Sequence, residues 1–193
     1  MTTLRQVVED IADALAAIDA SRVPFKAYHP GVGPYGEPQL LGAVVKHLNA
    51  HARYGGRIKT KRTPDVLIKD DWALECKLAR PFGDDGRPAE NWSVNLLHPY
   101  PGNTSSLGYC IKLRAWTGSE RRAVIVVGYE HTPPQTDLEP LLRGFEILAD
   151  QVIHVELGAR HEVVRRGLVH PIHQQLRVCA WEVHTAATGA SNG

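Results

Sequence analysis

The stretch from Thr63 to Leu78 constrains this chain more than any other. It reads Thr63-Pro64-Asp65-Val66-Leu67-Ile68-Lys69-Asp70-Asp71-Trp72-Ala73-Leu74-Glu75-Cys76-Lys77-Leu78. Two apolar runs flank a polar Lys69-Asp70-Asp71 segment, which is the pattern of a β-hairpin. Strand side chains alternate between faces, so the length of the loop decides which of them share a face. A loop made of Lys69, Asp70 and Asp71 sets Val66 opposite Leu74, Ile68 opposite Trp72 and Asp65 opposite Glu75. Val66, Ile68, Trp72, Leu74, Cys76 and Leu78 then form one apolar face, while Asp65, Leu67, Ala73, Glu75 and Lys77 occupy the other. An Asp70-Asp71 turn would throw the two carboxylates onto opposite faces. One register thus supplies both a core and a cluster of charge.

Two carboxylates with a lysine beside them suit a hard divalent cation. Magnesium takes oxygen ligands in near-octahedral geometry and commonly uses only one or two protein carboxylates, which leaves positions for water and a substrate phosphate. Lys77 is then placed to hold the attacking water or the charge developing on phosphate, and the neighbouring carboxylates favour its cationic form. The competing reading is bland: Pro64-Asp65 enters a strand, and Glu75 and Lys77 belong to a solvated strand face.

Pro64-Asp65, nine intervening residues and Glu75-Cys76-Lys77 together resemble the signature of the PD-(D/E)XK nuclease superfamily, the restriction-endonuclease-like fold. The resemblance covers residues 37 to 130. It implies that Asp65, Glu75 and the main-chain carbonyl of Cys76 hold the metal, and that Lys77 positions water. That superfamily usually adds a glutamate from a preceding helix to assist or to hold a second metal. Here the helix is Glu37-Pro38-Gln39-Leu40-Leu41-Gly42-Ala43-Val44-Val45-Lys46-His47-Leu48, with Glu37 at its start, Pro38 suited to the first helical position, and Leu40, Leu41, Val44, Val45 and Leu48 as its apolar face. The implied cofactor is Mg2+, with Mn2+ able to substitute. The implied activity is hydrolysis of phosphodiester bonds in nucleic acid by a DNA endonuclease. Related alternatives are a dimeric Holliday-junction resolvase and a noncatalytic member of the fold that binds nucleic acid or a partner protein. A housekeeping α/β protein with solvated hairpin charges is the unrelated one. No Gly-rich phosphate loop, Ser-His-Asp constellation or Cys-X-X-Cys pair offers a rival chemistry.

A net charge of +1 does not mark a bulk nucleic-acid binder, so the distribution of charge matters more. Arg53, Arg57, Lys59, Lys61 and Arg62 precede Asp65 with no acid among them, and such a segment suits a phosphate backbone leading into the metal site. The alternative is an edge strand protected by lysine and arginine.

The remainder organises around this hairpin. With 193 residues, 43% of them hydrophobic, the chain is long enough for one domain with a substantial core. No apolar run reaches the length of a membrane span, and Met1-Thr2-Thr3-Leu4-Arg5 lacks the apolar region of a signal peptide, so a cytoplasmic protein is expected. Cys76, Cys110 and Cys179 are odd in number and widely spaced, which suits reduced thiols. Leu4, Val7, Val8, Ile11, Leu15 and Ile18 mark a helix over 4–19, and an irregular connection over Ser21–Gly36 carries Tyr28, His29 and Tyr35. A long connection over Pro81–Thr104 holds a short helix at Ala89–Leu97.

The spacing then predicts a helix over Ser105–Trp116, with Leu107, Cys110, Ile111 and Ala115 inward and Lys112 on the other side. In the nuclease superfamily that helix often adds a polar group near the site, which makes Lys112 a further candidate contact to nucleic acid. Residues 122–129 read as a buried strand, Asp137 caps a helix through Leu148, and Val152–Leu157, Glu162–Arg166 and Leu176–Val183 read as strands. His170-Pro171-Ile172-His173 places two imidazoles close together. Pro171 denies them a helix and no carboxylate or cysteine is near in sequence, so no zinc site is expected there. The expected fold class is α/β, a single restriction-endonuclease-like domain with a central mixed β-sheet of about five strands flanked by helices. It spans residues 1–185: N-terminal helix and loop 1–36, catalytic core 37–130, C-terminal helix and strands 131–185, with a flexible tail at 186–193.

Overall fold

The computed structural model describes residues 1–184 apart from Pro101 and Asn103, so the tail expected at 186–193 lies outside the described residues. In chain order the elements are α1 (Leu4–Ala20), α2 (Glu37–Asn49), β1 (Ile58–Thr60), β2 (Val66–Ile68), β3 (Trp72–Ala79), α3 (Val94–Leu97), α4 (Ser106–Arg114), β4 (Arg121–Glu130), α5 (Glu139–Gln151), β5 (His161–Arg166) and β6 (Gln175–Glu182).

The hairpin takes the register that its alternation requires. Val66 lies opposite Leu74, Leu67 opposite Ala73 and Ile68 opposite Trp72. Asp70 adopts a left-handed φ of 61°, and the Asp71 amide donates to Ile68 O at 3.0 Å, which closes the loop. Beyond the hairpin the chain builds one mixed six-stranded sheet in the order β1-β2-β3-β4-β6-β5, in which only β3 and β4 run parallel. A parallel pair needs a crossover, and the chain from Pro81 to Glu120, with α3 and α4, supplies it.

Both faces of the sheet are covered. Val66, Ile68, Trp72, Leu74 and Cys76 pack with Leu4, Val8, Leu15 and the apolar side of α2. Leu67, Ala73 and Ala79 pack instead with Leu107, Cys110 and Leu113 of α4 and with Leu142 and Phe145 of α5. The result is helix, sheet, helix in three layers, a single α/β domain with one core on each side of the sheet. Each fully buried Leu or Phe contributes about 1.5–3 kcal/mol of transfer free energy. The helices begin where capping chemistry allows: Thr3 Oγ1 accepts from the Gln6 amide at 3.2 Å, Pro38 sits in the first turn of α2, and Ser105 Oγ accepts from the Gly108 amide at 3.0 Å.

The basic run holds a short edge strand, β1, the alternative read for it, in which only Ile58 is buried. Three local expectations are corrected. Val152–Leu157 is not a strand: Val152 ends α5, and Leu157 makes an isolated bridge to Val183. The helix in the long connection covers only Val94–Leu97. In α4 the inward residue near the C-terminal end is Leu113, and Ala115 is exposed. The three cysteines are buried free thiols. No helix among the described residues is long and apolar enough to cross a membrane.

Candidate active site

β2 ends its pairing at Val66, whereas β3 runs on to Ala79, so the second half of β3 has a free edge on that side. Two carboxylates take up its amides. Asp65 Oδ2 accepts from the Cys76 amide at 2.9 Å, and Glu37 Oε2 accepts from the Leu78 amide at 3.3 Å. The amide and carbonyl of a strand residue face the same neighbour, so the Cys76 carbonyl opens toward Asp65 as well. Glu37 reaches this edge because α2 begins there, with Gly36 as its N-cap.

Glu75 and Lys77 project from β3 toward α4, on the face that also carries Leu67 and Ala73, as the alternation requires. They are not solvated: the Glu75 side chain has no exposure and that of Lys77 has 9%. Lys112, from α4, sets its Nζ 2.6 Å from Glu75 Oε1, yet neither Glu75 oxygen lies in an aligned hydrogen bond among the described residues. The contact is an ion pair by distance and a poor hydrogen bond by direction. Burial pushes the Glu75 carboxyl up to about 8; Lys112 opposes that, while the nearby charge of Asp65 adds to it. Asp65 and Glu75 therefore share one pocket of charge.

Lys77 Nζ lies 3.0 Å from Glu37 Oε2 and 3.1 Å from Oε1. It also sits 4.8 Å from the centre of the Tyr109 ring, and Lys112 Nζ sits 5.2 Å from the same ring. Burial raises the Glu37 pKa more than Lys77 lowers it. The Tyr109 hydroxyl is held protonated by burial and by Asp65, Glu37 and Glu75 around it. Tyr109 is the member of this group that sequence reasoning missed, because a lone aromatic on the inner side of a helix reads as core.

The basic run divides. Arg53 pairs with Asp10, and Arg57 folds back onto Arg53 O at 2.7 Å; both lie beside Met1 and Gln6, away from the carboxylates. The structure does not bring these two to the site. Lys59, Lys61 and Arg62 are exposed, and Lys61 and Arg62 join Glu37, Pro38, Leu41, Thr60 and Asp65 around a cleft of about 270 Å³. Lys112 does add a polar group beside the carboxylates, as the candidate from that helix, but it is turned inward onto Glu75.

Oxygen donors from Asp65, Glu75 and the Cys76 carbonyl form an all-hard set that fits magnesium, and the unaligned buried oxygens of Glu75 are the kind of group that a cation would satisfy. A second cluster does not fit a metal as well. His29, Asp84 and His170 offer ligand atoms within 4.8 Å of one another, from loops far apart in sequence. The amides of Ile172 and His173 both donate to His170 Nδ1, at 3.1 and 3.0 Å. The proton of the neutral ring must then sit on Nε2, which donates to Asp84 Oδ1 at 2.8 Å and has no lone pair left for a cation. Burial alone would raise the Asp84 pKa, but its donors from His170 and His29 hold it below the usual carboxylate range. The trio is a clasp between loops. A larger cavity of about 370 Å³ beside Trp181 has Trp181 Nε1 on Glu146 at 2.9 Å and Arg160 on Glu139 at 2.7 Å.

No family model, curated protein or solved structure matches the chain.

Proposed function

We propose that the protein is a metal-dependent nuclease that hydrolyses phosphodiester bonds in DNA, with Mg2+ as its cofactor and Mn2+ as a substitute. One observation carries the reading: Glu75 is a fully buried carboxylate whose oxygens lack aligned partners, beside a second carboxylate and two lysines. Keeping such charges out of water costs on the order of several kcal/mol per ion, so a solvated-face explanation does not account for them. A divalent cation held by Asp65, Glu75 and the Cys76 carbonyl supplies Lewis-acid neutralisation of phosphate and acidification of water.

The roles of the chain's own groups follow from their positions. Asp65 keeps Oδ2 on the Cys76 amide and so presents its other oxygen in a fixed direction. Lys77, held by Glu37 and the Tyr109 ring, offers N–H donors to a phosphate oxygen or to the incoming water. Glu37 accepts from Lys77 and fixes its ammonium; its raised pKa also makes it the more basic partner for a water proton. Lys112 stands ready to pair with Glu75 once that carboxyl ionises.

That last contact also favours a second reading. Two lysines already offset much of the charge on three carboxylates, as in a noncatalytic protein of the same build that only binds nucleic acid. Supercoiled plasmid, linear duplex and single strands, each incubated with Mg2+, Mn2+ and EDTA, separate the two. Metal-dependent scission of any of them supports the nuclease, and binding without scission supports the alternative.

A further inference from the structure

Burial decides how a phosphate reaches the carboxylates. Glu75 has no exposure and Lys77 only 9%, so the groups a substrate meets first are Glu37 and Asp65, in the cleft of about 270 Å³ between the head of α2 and the turn that follows β1. Lys61 and Arg62 belong to the same cleft. Duplex DNA is stiff on this scale and carries its phosphates on the outside of a cylinder. It can touch Lys61 and Arg62, whereas a single strand can bend to carry a phosphate past them.

A second feature lies directly ahead of Glu37 in the chain. The Tyr35 ring stacks on Phe25 with centroids 4.8 Å apart, and Phe25 stacks on Tyr28 at 6.3 Å and 12° between planes. Tyr28 is 46% exposed. Arg80, just beyond the end of β3, donates to Gly33 O at 2.5 Å and to Tyr35 O at 3.3 Å, which ties this aromatic stack to the strand that carries Glu75 and Lys77. An exposed ring at the end of a stack offers a π-face that any unpaired base can cover, and basic side chains that track a backbone beside such rings are how proteins hold single strands without reading sequence. A paired base has no face to give.

The geometry points to unpaired DNA as the substrate class of this site: the sugar–phosphate backbone passes along Lys61 and Arg62 to Asp65 and Glu37, and a base stacks on Tyr28. The inference rests on the nuclease reading, and the experiment separates the two. Wild-type protein with Mn2+ is given an end-labelled oligonucleotide as single strand and as blunt duplex. Binding of both is measured by anisotropy in EDTA with Asp65→Asn, alone and combined with Tyr28→Ala.

The single strand is expected to be cut, and bound, at least about tenfold better than the duplex, and Tyr28→Ala is expected to weaken single-strand binding about tenfold, the effect of one lost stacked base. A duplex bound and cut as well as the single strand overturns the inference and leaves the nuclease standing. Unchanged single-strand affinity in the Tyr28→Ala protein also overturns it. Absence of cleavage of either form, with strand-selective binding retained, overturns the nuclease reading and supports the cleft as a single-strand site.

Discussion

At the scale of the residue, the proposed function assigns chemistry and grip to different side chains. Asp65→Ala removes an oxygen of the proposed metal site and is expected to lower cleavage by at least about a hundredfold. DNA binding should persist or tighten at low salt, because a negative charge facing phosphate has gone. Lys77→Ala should lower cleavage as severely while metal binding survives, since an ammonium cannot be a ligand. Gel assays of cleavage paired with calorimetric titration of Mn2+ check both, and wild-type rates in either variant would remove these residues from the mechanism. Asp65, Glu75 and Lys77 were legible because a period of two and a loop length couple their faces. Lys112 and Tyr109 were harder, because their positions depend on how α4 rotates about its axis as it packs, and the helical period alone leaves a lysine there reading as surface. His29, Asp84 and His170 meet only through three separate loops, which no local pattern announces.

At the scale of the element, the β1–β2 turn is a basic projection. Lys61 and Arg62 are exposed along it beside the cleft, and Lys59 is exposed on the adjoining strand β1. Replacing all three with serine should weaken binding to every sequence and reduce the slope of log K against log salt by up to about three phosphate contacts' worth. Affinities measured across a salt series test this, and an unchanged slope would show that the backbone passes elsewhere. Arg53→Ala serves as contrast. Its partner is Asp10, so its loss should leave the slope unchanged. Elements with a strong period, such as α1, β3 and β4, were readable to within a few residues. β1 shows only through its basic run, because Lys59 and Thr60 on an edge strand face water and leave Ile58 as its single buried anchor. Val152–Leu157 misleads in the opposite direction, since Val155 and Leu157 pack against the α5 side of the sheet from a loop and supply apolar character without a ladder.

At the scale of the whole molecule, stability and the proposed function compete over one carboxylate. In the folded protein Glu75 has its pKa pushed up to about 8, against 4.5 for the same group when unperturbed. Between those values the folded state holds a proton that the unfolded chain has released, so without metal the fold should lose stability as pH rises from about 4.5 to about 8 and level off above. A divalent cation held there would compete for the same oxygens and reverse the trend, because metal affinity would grow as Glu75 ionises. Glu75→Gln removes the titration while keeping the shape of the side chain. Lys112, about a third exposed, can turn to water when its partner is neutral. At pH 9 in EDTA this variant is expected to be more stable than the wild type, by on the order of a few kcal/mol, and the gap should shrink toward zero at acid pH. Excess Mg2+ should raise the melting temperature of the wild type by mass action and leave Glu75→Gln unmoved, along with its lost cleavage. Thermal melts of the two proteins over a pH series, with EDTA and with Mg2+, read all of this. Equal stability at pH 9 without metal would mean that Lys112 alone satisfies Glu75, and the noncatalytic reading would then gain what the nuclease loses.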